Sequence, residues 1–109
     1  MGYDLRTQRG YDFYLVSSSL QKAIRRGDVR CAGYFALELF PKYSEYCWKR
    51  LLTVSAEDCY GPITKDIMAL YEGFKIVNKG KRGDQLGGRI FISKAVILLC
   101  TQPHSRDAD

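Results

Sequence analysis

Glu57 and Asp58 stand side by side just ahead of a Gly61-Pro62 break, and neighbouring carboxylates are the first residues to test for acid–base chemistry. Successive helical residues point about 100° apart, so this pair does not converge on one substrate as a two-carboxylate catalytic dyad must. The role left is structural: an ion pair with a Lys or Arg of a neighbouring helix, or a cap for the next one. Phosphate chemistry is the second candidate. Gly83 and Gly88 have the five-residue separation of a phosphate-binding loop, but Arg89 and Ile90 follow where lysine and Ser/Thr would hold phosphate and magnesium. No strand pattern precedes the loop either. Nucleotide hydrolysis is therefore rejected, and the stretch reads as a linker, with contact to a DNA backbone as the alternative.

Nucleophiles and metal ligands are no better assembled. Cys31, Cys47, Cys59 and Cys100 form no C-x-x-C pair, and each lies within or beside an apolar helical pattern, which reads as free thiols in a reducing compartment. His104 is the single histidine, so no zinc set is expected, and neither it nor Ser17, Ser18, Ser19 and Ser105 builds a Ser/His/Asp arrangement. The sequence thus predicts no catalytic residue, no metal and no cofactor.

What remains is charge. The net charge is +5, with a pI near 9.1, a balance that favours acidic partners such as nucleic acid. The cations gather as Lys22, Arg25 and Arg26, and as Lys79, Lys81 and Arg82 with Arg89. Solvated faces are the ordinary reading of such groups. If they bind DNA, the contact is sequence-independent and weakened by salt. Tyr3, Tyr11, Tyr14, Tyr43 and Tyr46 add amphipathic rings of the kind found at oligomer interfaces, although helix-face packing is the preferred reading for most of them.

The elements that must position these groups read as helices throughout. A flexible arm is expected over residues 1–10, a helical domain over 11–102 and a polar tail over 103–109, whose abrupt end is what a piece of a longer chain would show. The first helix spans about 11–26, burying Phe13, Val16, Leu20, Ala23 and Ile24 and leaving Gln21, Lys22, Arg25 and Arg26 outside. Gly27 stops it, and Asp28 caps a second helix over 29–39, which buries Ala32, Phe35, Ala36 and Leu39 and makes a hairpin with the first. Ser44 is expected to cap the third, which runs to about Cys59 and carries Trp48, Leu51, Leu52, Ser55 and Ala56 on its inner face. Arg50 and Glu57 fall on its other side. A buried tryptophan dominates any core it joins, so this helix should lie between others. The fourth, about 64–78, turns Ile67, Leu70, Tyr71, Phe74 and Val77 inwards. After a Gly- and Lys/Arg-rich surface loop over 78–88, RIFISKAVILLC reads as a buried helix, because a lone strand would lack a partner. No run reaches the length of a membrane span. The fold expected is all-α, a single-domain bundle of about five helices.

Several of these residues also stand in a family-like order. Arg50, Leu51, Leu52, Ala56, Glu57 and Asp58 resemble an Arg-Leu-Leu … Glu-Asp segment in the C-terminal helical domain of replication-associated recombination proteins, clamp-loader-like AAA+ ATPases of the RarA/MgsA type. Upstream, Tyr11, Asp12, Ser18, Leu20, Lys22, Ile24 and Arg25, then Gly27, Asp28, Ala32, Tyr34, Phe35 and Ala36, are similar to the segment preceding it there. The likeness extends from Tyr11 to about His104. In the family a branched residue and a glycine follow the acidic pair directly, whereas here Cys59 and Tyr60 stand before Gly61. The resemblance implies a clamp-loader collar-like fold without the ATPase module, with Trp48, Arg50, Glu57, Asp58 and Gly61 as structural positions. It implies a homo-oligomer, tetrameric in that family, or docking on a replication ATPase, and a cytoplasmic role in DNA replication and recombination.

Overall fold

In the computed structural model, which describes residues 5–59, 61–81 and 87–102, two aspartates begin the first two helices. Asp12 accepts a hydrogen bond from Leu15 N at 2.9 Å and starts α1, Phe13–Arg25; Asp28 accepts one from Cys31 N at 3.1 Å and starts α2, Val29–Leu39. Between them, Asp28 N donates to Ala23 O and Gly27 N to Ile24 O, both at 2.9 Å, the pair of bonds that ends a helix through a left-handed residue. Gly27 supplies that residue at φ +69, and a Cβ there would lie 3.2 Å from Cys100 O. The left-handed φ calls for glycine, and a Cβ there would also crowd that carbonyl.

Three further helices follow: α3, Ser44–Asp58; α4, Ile63–Val77; and α5, Arg89–Thr101. Among the described residues they make the all-α, five-helix bundle expected. The Cα radius of gyration is 13.5 Å, close to the roughly 13 Å of a compact domain this long. Both α3 and α5 touch all the other helices, and α5 lies mainly between α2 and α4. Trp48 on α3 is fully buried, its ring 5.4 Å from Tyr71 and 5.5 Å from Phe74, which in turn meets Phe40 at 5.6 Å. From α5, Ile92, Ala95, Val96, Leu99 and Cys100 close the core.

Several local expectations are corrected. Ser44 is the first helical residue of α3 and not its cap; Tyr43 holds the cap position and makes no side-chain capping bond. Val77 and Ala56 are exposed, because α4 and α3 each turn those positions away from their neighbours. Tyr43 and Tyr46 are half-buried, both rings 4.6 Å from that of Phe13, so they are packing residues. Tyr3 lies outside the described residues.

Residues 5–10, the described part of the expected arm, are held in a hook. Thr7 N donates to Tyr11 O and Phe13 N to Leu5 O, and Glu38 of α2 sits beneath at 4% exposure. Its Oε2 accepts from Thr7 Oγ1 at 2.7 Å and from Arg9 N at 2.6 Å. A buried carboxylate must be hydrogen-bonded, and the hook supplies the donors.

Candidate partner-binding face

The acidic pair divides as its helical spacing requires. Glu57 is exposed, whereas Asp58 is fully buried, and its Oδ2 meets Arg25 Nε at 3.0 Å and accepts from Gln21 Nε2 at 3.3 Å. The expected ion pair with a neighbouring helix is present, and it draws in two residues expected to point outwards. Gln21 is buried and Arg25 is 26% exposed, because a long polar side chain at a helix margin follows the nearest buried charge. Of the first basic cluster, Lys22 and Arg26 remain exposed, and Arg30, which the sequence reading did not select, is exposed just beyond the turn.

In the second cluster, Lys79 and Lys81 are exposed, and Arg82 lies outside the described residues, as do Gly83 and His104. The loop neck is held by Asn78, whose Nδ2 donates to Gly87 O at 3.0 Å while Gly87 N donates to its Oδ1 at 2.7 Å. Arg89 shares a shallow depression with Gln8, Arg9, Tyr34, Leu37 and Glu38. Arg50 is half-buried, and Gly61, at φ +79, forms the α3–α4 turn. No group of three or more His, Cys, Asp or Glu residues able to hold a metal exists among the described residues, and none of their helices is long and apolar enough to cross a membrane.

The four thiols are free. Burial raises the Cys47 pKa to about 12 and that of Cys100 to about 11, and Cys59 is raised by the same cause. Cys31 is exposed, and its hydrogen bond to Asp28 raises its pKa. With iodoacetamide at pH 8, Cys31 is expected to be carboxamidomethylated first and Cys59 more slowly, with Cys47 and Cys100 reacting only at the rate of global unfolding. Because asparagine caps a helix as well as aspartate does, Asp28→Asn should keep α2 and speed the Cys31 reaction severalfold by removing the anion that disfavours the thiolate. Peptide mapping by mass spectrometry reads both results, and labelling of Cys47 ahead of Cys31 would contradict the packing.

What the fold brings together is a face of α1, α2 and α5. Tyr14 and Leu15 of α1 are 61% and 62% exposed, and Ile90 and Ile97 of α5 are 72% and 48% exposed. On α2, Tyr34 is the ridge between two shallow depressions. One is lined by Tyr11, Leu15, Ser19 and Phe35, the other by Val29, Gly33, Ser93 and Ile97. The Tyr34 hydroxyl lies 3.0 Å from that of Tyr11, and this bond raises its pKa, so it is a neutral phenol at physiological pH; the Arg9 guanidinium stands 5.7 Å over its ring. The sole acid within these three helices is Glu38, which is already buried and bonded. Sequence reasoning missed the face because it took α5 as buried on all sides. The signal was present: a helix apolar all round needs cover all round, and here the stripe of Arg89, Ile90, Lys94, Ile97 and Thr101 is left exposed.

No family model matches the chain. The curated proteins contain no match to it either.

Proposed function

We propose that this chain is a non-catalytic assembly module that works by self-association or by docking on a larger partner, through the face of α1, α2 and α5. The observation that carries this reading is the outer side of α5, where Ile90, Lys94 and Ile97 recur at i, i+4 and i+7 in the open. Ile90 and Ile97 flank Lys94 there, and Ile97 is continuous across Tyr34 with Tyr11 and Leu15 of α1, an exposed apolar patch of the kind that marks a protein–protein surface. Free thiols accord with a reducing compartment such as the cytoplasm. A tie to DNA replication and recombination, with a clamp-loader-like ATPase as the partner and a tetramer as the self-assembled form, rests on the resemblance of the Tyr11–Asp58 residues.

The test is light scattering after gel filtration at micromolar concentration, for the chain alone and mixed with a clamp-loader-like ATPase of the RarA/MgsA type. The expected result is a species heavier than the 12.5 kDa monomer, or co-elution, lost in an Ile90→Lys/Ile97→Lys variant with an unchanged circular dichroism spectrum. A monomer that recruits nothing overturns the reading.

A second reading, sequence-independent DNA binding, is favoured by the exposure of Lys22, Arg26 and Arg30 around one turn. It requires an affinity for single-stranded DNA that falls steeply with salt and is lost when these three become alanine. Arg25 is left in place in that variant, because its guanidinium holds Asp58.

A further inference from the structure

We propose that the seam between α2 and α5 receives an acidic amphipathic helix of a partner protein. This deepens the assembly reading above and rests on it, naming the chemistry of the docking partner. The seam is antiparallel. Val29 and Arg30, at the start of α2, lie with Val96 and Ile97 near the end of α5, while Leu37, near the end of α2, lies with Arg89 at the start of α5. From Val29 to Leu37 is about 12 Å along a helix axis, room for two turns of a guest helix. The trough at the Val29 end is about 380 Å³, and its floor is apolar: Val29, Val96, Ile97 and the bare backbone of Gly33. No atom lies within 4 Å of where a Gly33 Cβ would be, so the trough is open at its centre.

Charge selects the occupant. Arg30 stands at one end of the seam and Arg89 at the other, and Lys94 lies along α5 between Ile90 and Ile97, while Arg9 is already paired with Glu38 at 3.8 Å. Of the acids nearby, Glu38 is buried under the hook and paired with Arg9, and the capping carboxylate of Asp28 keeps its charge with Arg26 and Arg30 beside it. A helix with aliphatic residues facing the trough and carboxylates at both ends would meet both the floor and the rim. A second copy supplies this poorly. The net charge of +5 opposes self-association, and the outer side of α4, which exposes Met68 and Ile76, balances Asp66 and Glu72 with Lys65 and Lys75. Nucleic acid gains phosphate contacts at the rim but nothing from an aliphatic floor, and the ring of Tyr34 already carries Arg9.

The experiment uses the full chain and a fluorescein-labelled helical peptide with leucines at i, i+4 and i+7 and glutamates at both ends. Its controls are the same peptide with lysine for glutamate and a single-stranded thymidine oligonucleotide, all followed by anisotropy. The expected result is binding of the acidic peptide at least about tenfold tighter than of the basic one, weakening as salt rises from about 50 to 200 mM. Gly33→Phe, which fills the trough, and Arg30→Glu, which inverts its rim, should each weaken that binding about tenfold or more without altering the circular dichroism spectrum. Arg30 is exposed, so its variant reads the charge arm even if the Gly33 variant fails to fold. Equal binding of the two peptides overturns the proposal, as does indifference to Arg30→Glu or displacement of the acidic peptide by the oligonucleotide. Self-association that Gly33→Phe abolishes assigns the seam to a second copy, which ends this proposal and leaves the assembly reading standing. A monomer that binds neither peptide nor ATPase ends both.

Discussion

Trp48→Ala is expected to lower the unfolding free energy by about 3–5 kcal/mol, a large part of the roughly 5–15 kcal/mol that holds a domain together. The indole is completely buried between α3 and the rings of Tyr71 and Phe74, and through Phe74 it reaches Phe40. Removing it leaves a cavity between α3 and the α4 rings of Tyr71 and Phe74. Trp48→Phe should be much milder. It keeps a ring in place and removes an indole N–H that finds no acceptor among the described residues, a buried donor whose desolvation costs about 1–3 kcal/mol. Trp48 is the sole tryptophan, so urea unfolding must be followed by circular dichroism. A loss below about 1 kcal/mol in the alanine variant would show that the indole does not occupy the centre of the core.

Breaking the Arg25–Asp58 pair should cost nearly as much. The Asp58 side chain is wholly buried and that of Arg25 is 26% exposed, so the pair is shielded from most of the solvent screening that makes surface salt bridges weak. Arg25→Ala takes the guanidinium from a buried carboxylate, and Asp58→Ala takes the shared acceptor from Arg25 and Gln21. Each is expected to lose about 3–5 kcal/mol. The double variant Arg25→Ala/Asp58→Ala should lose clearly less than the sum, by about 0.5–3 kcal/mol, because both changes break the same contact. Glu57→Ala, one position away and exposed, should stay within about 0.5 kcal/mol of the parent. Equal costs at positions 57 and 58 in urea titrations would refute the division of the acidic pair.

Those two sites also show where the sequence was legible. Trp48, Leu51 and Ser55 could be placed inside because apolar spacing on a helix has one geometric solution, and α2 could be bounded because Asp28 and Pro41 punctuate it. The ion pair was legible as a type of contact but not as a particular one: nothing local says that Gln21 and Arg25, rather than Lys22 and Arg26, turn towards Asp58. The hook over 5–10 was invisible for a similar reason. Its anchor, Glu38, lies 31 positions along from Thr7, and a short stretch without periodicity carries no trace of so distant a partner. Ser44 was placed one residue out, within the ordinary fraying of helix boundaries. The candidate face escaped notice because periodicity reports which residues are apolar, not how many sides of a helix its own chain can cover.

The first helix is fastened at both ends to different neighbours. At its start, the Thr7–Arg9 hook clasps Glu38 of α2; at its finish, Arg25 clasps Asp58 of α3. Each residue added to or taken from such a helix turns one end by about 100° and moves it by about 1.5 Å relative to the other. A single insertion or deletion within α1 would thus leave one of the two clasps aimed at empty space. The segment is a ruler whose length is set in whole turns, and an insertion or deletion along it forfeits a clasp that a substitution can spare.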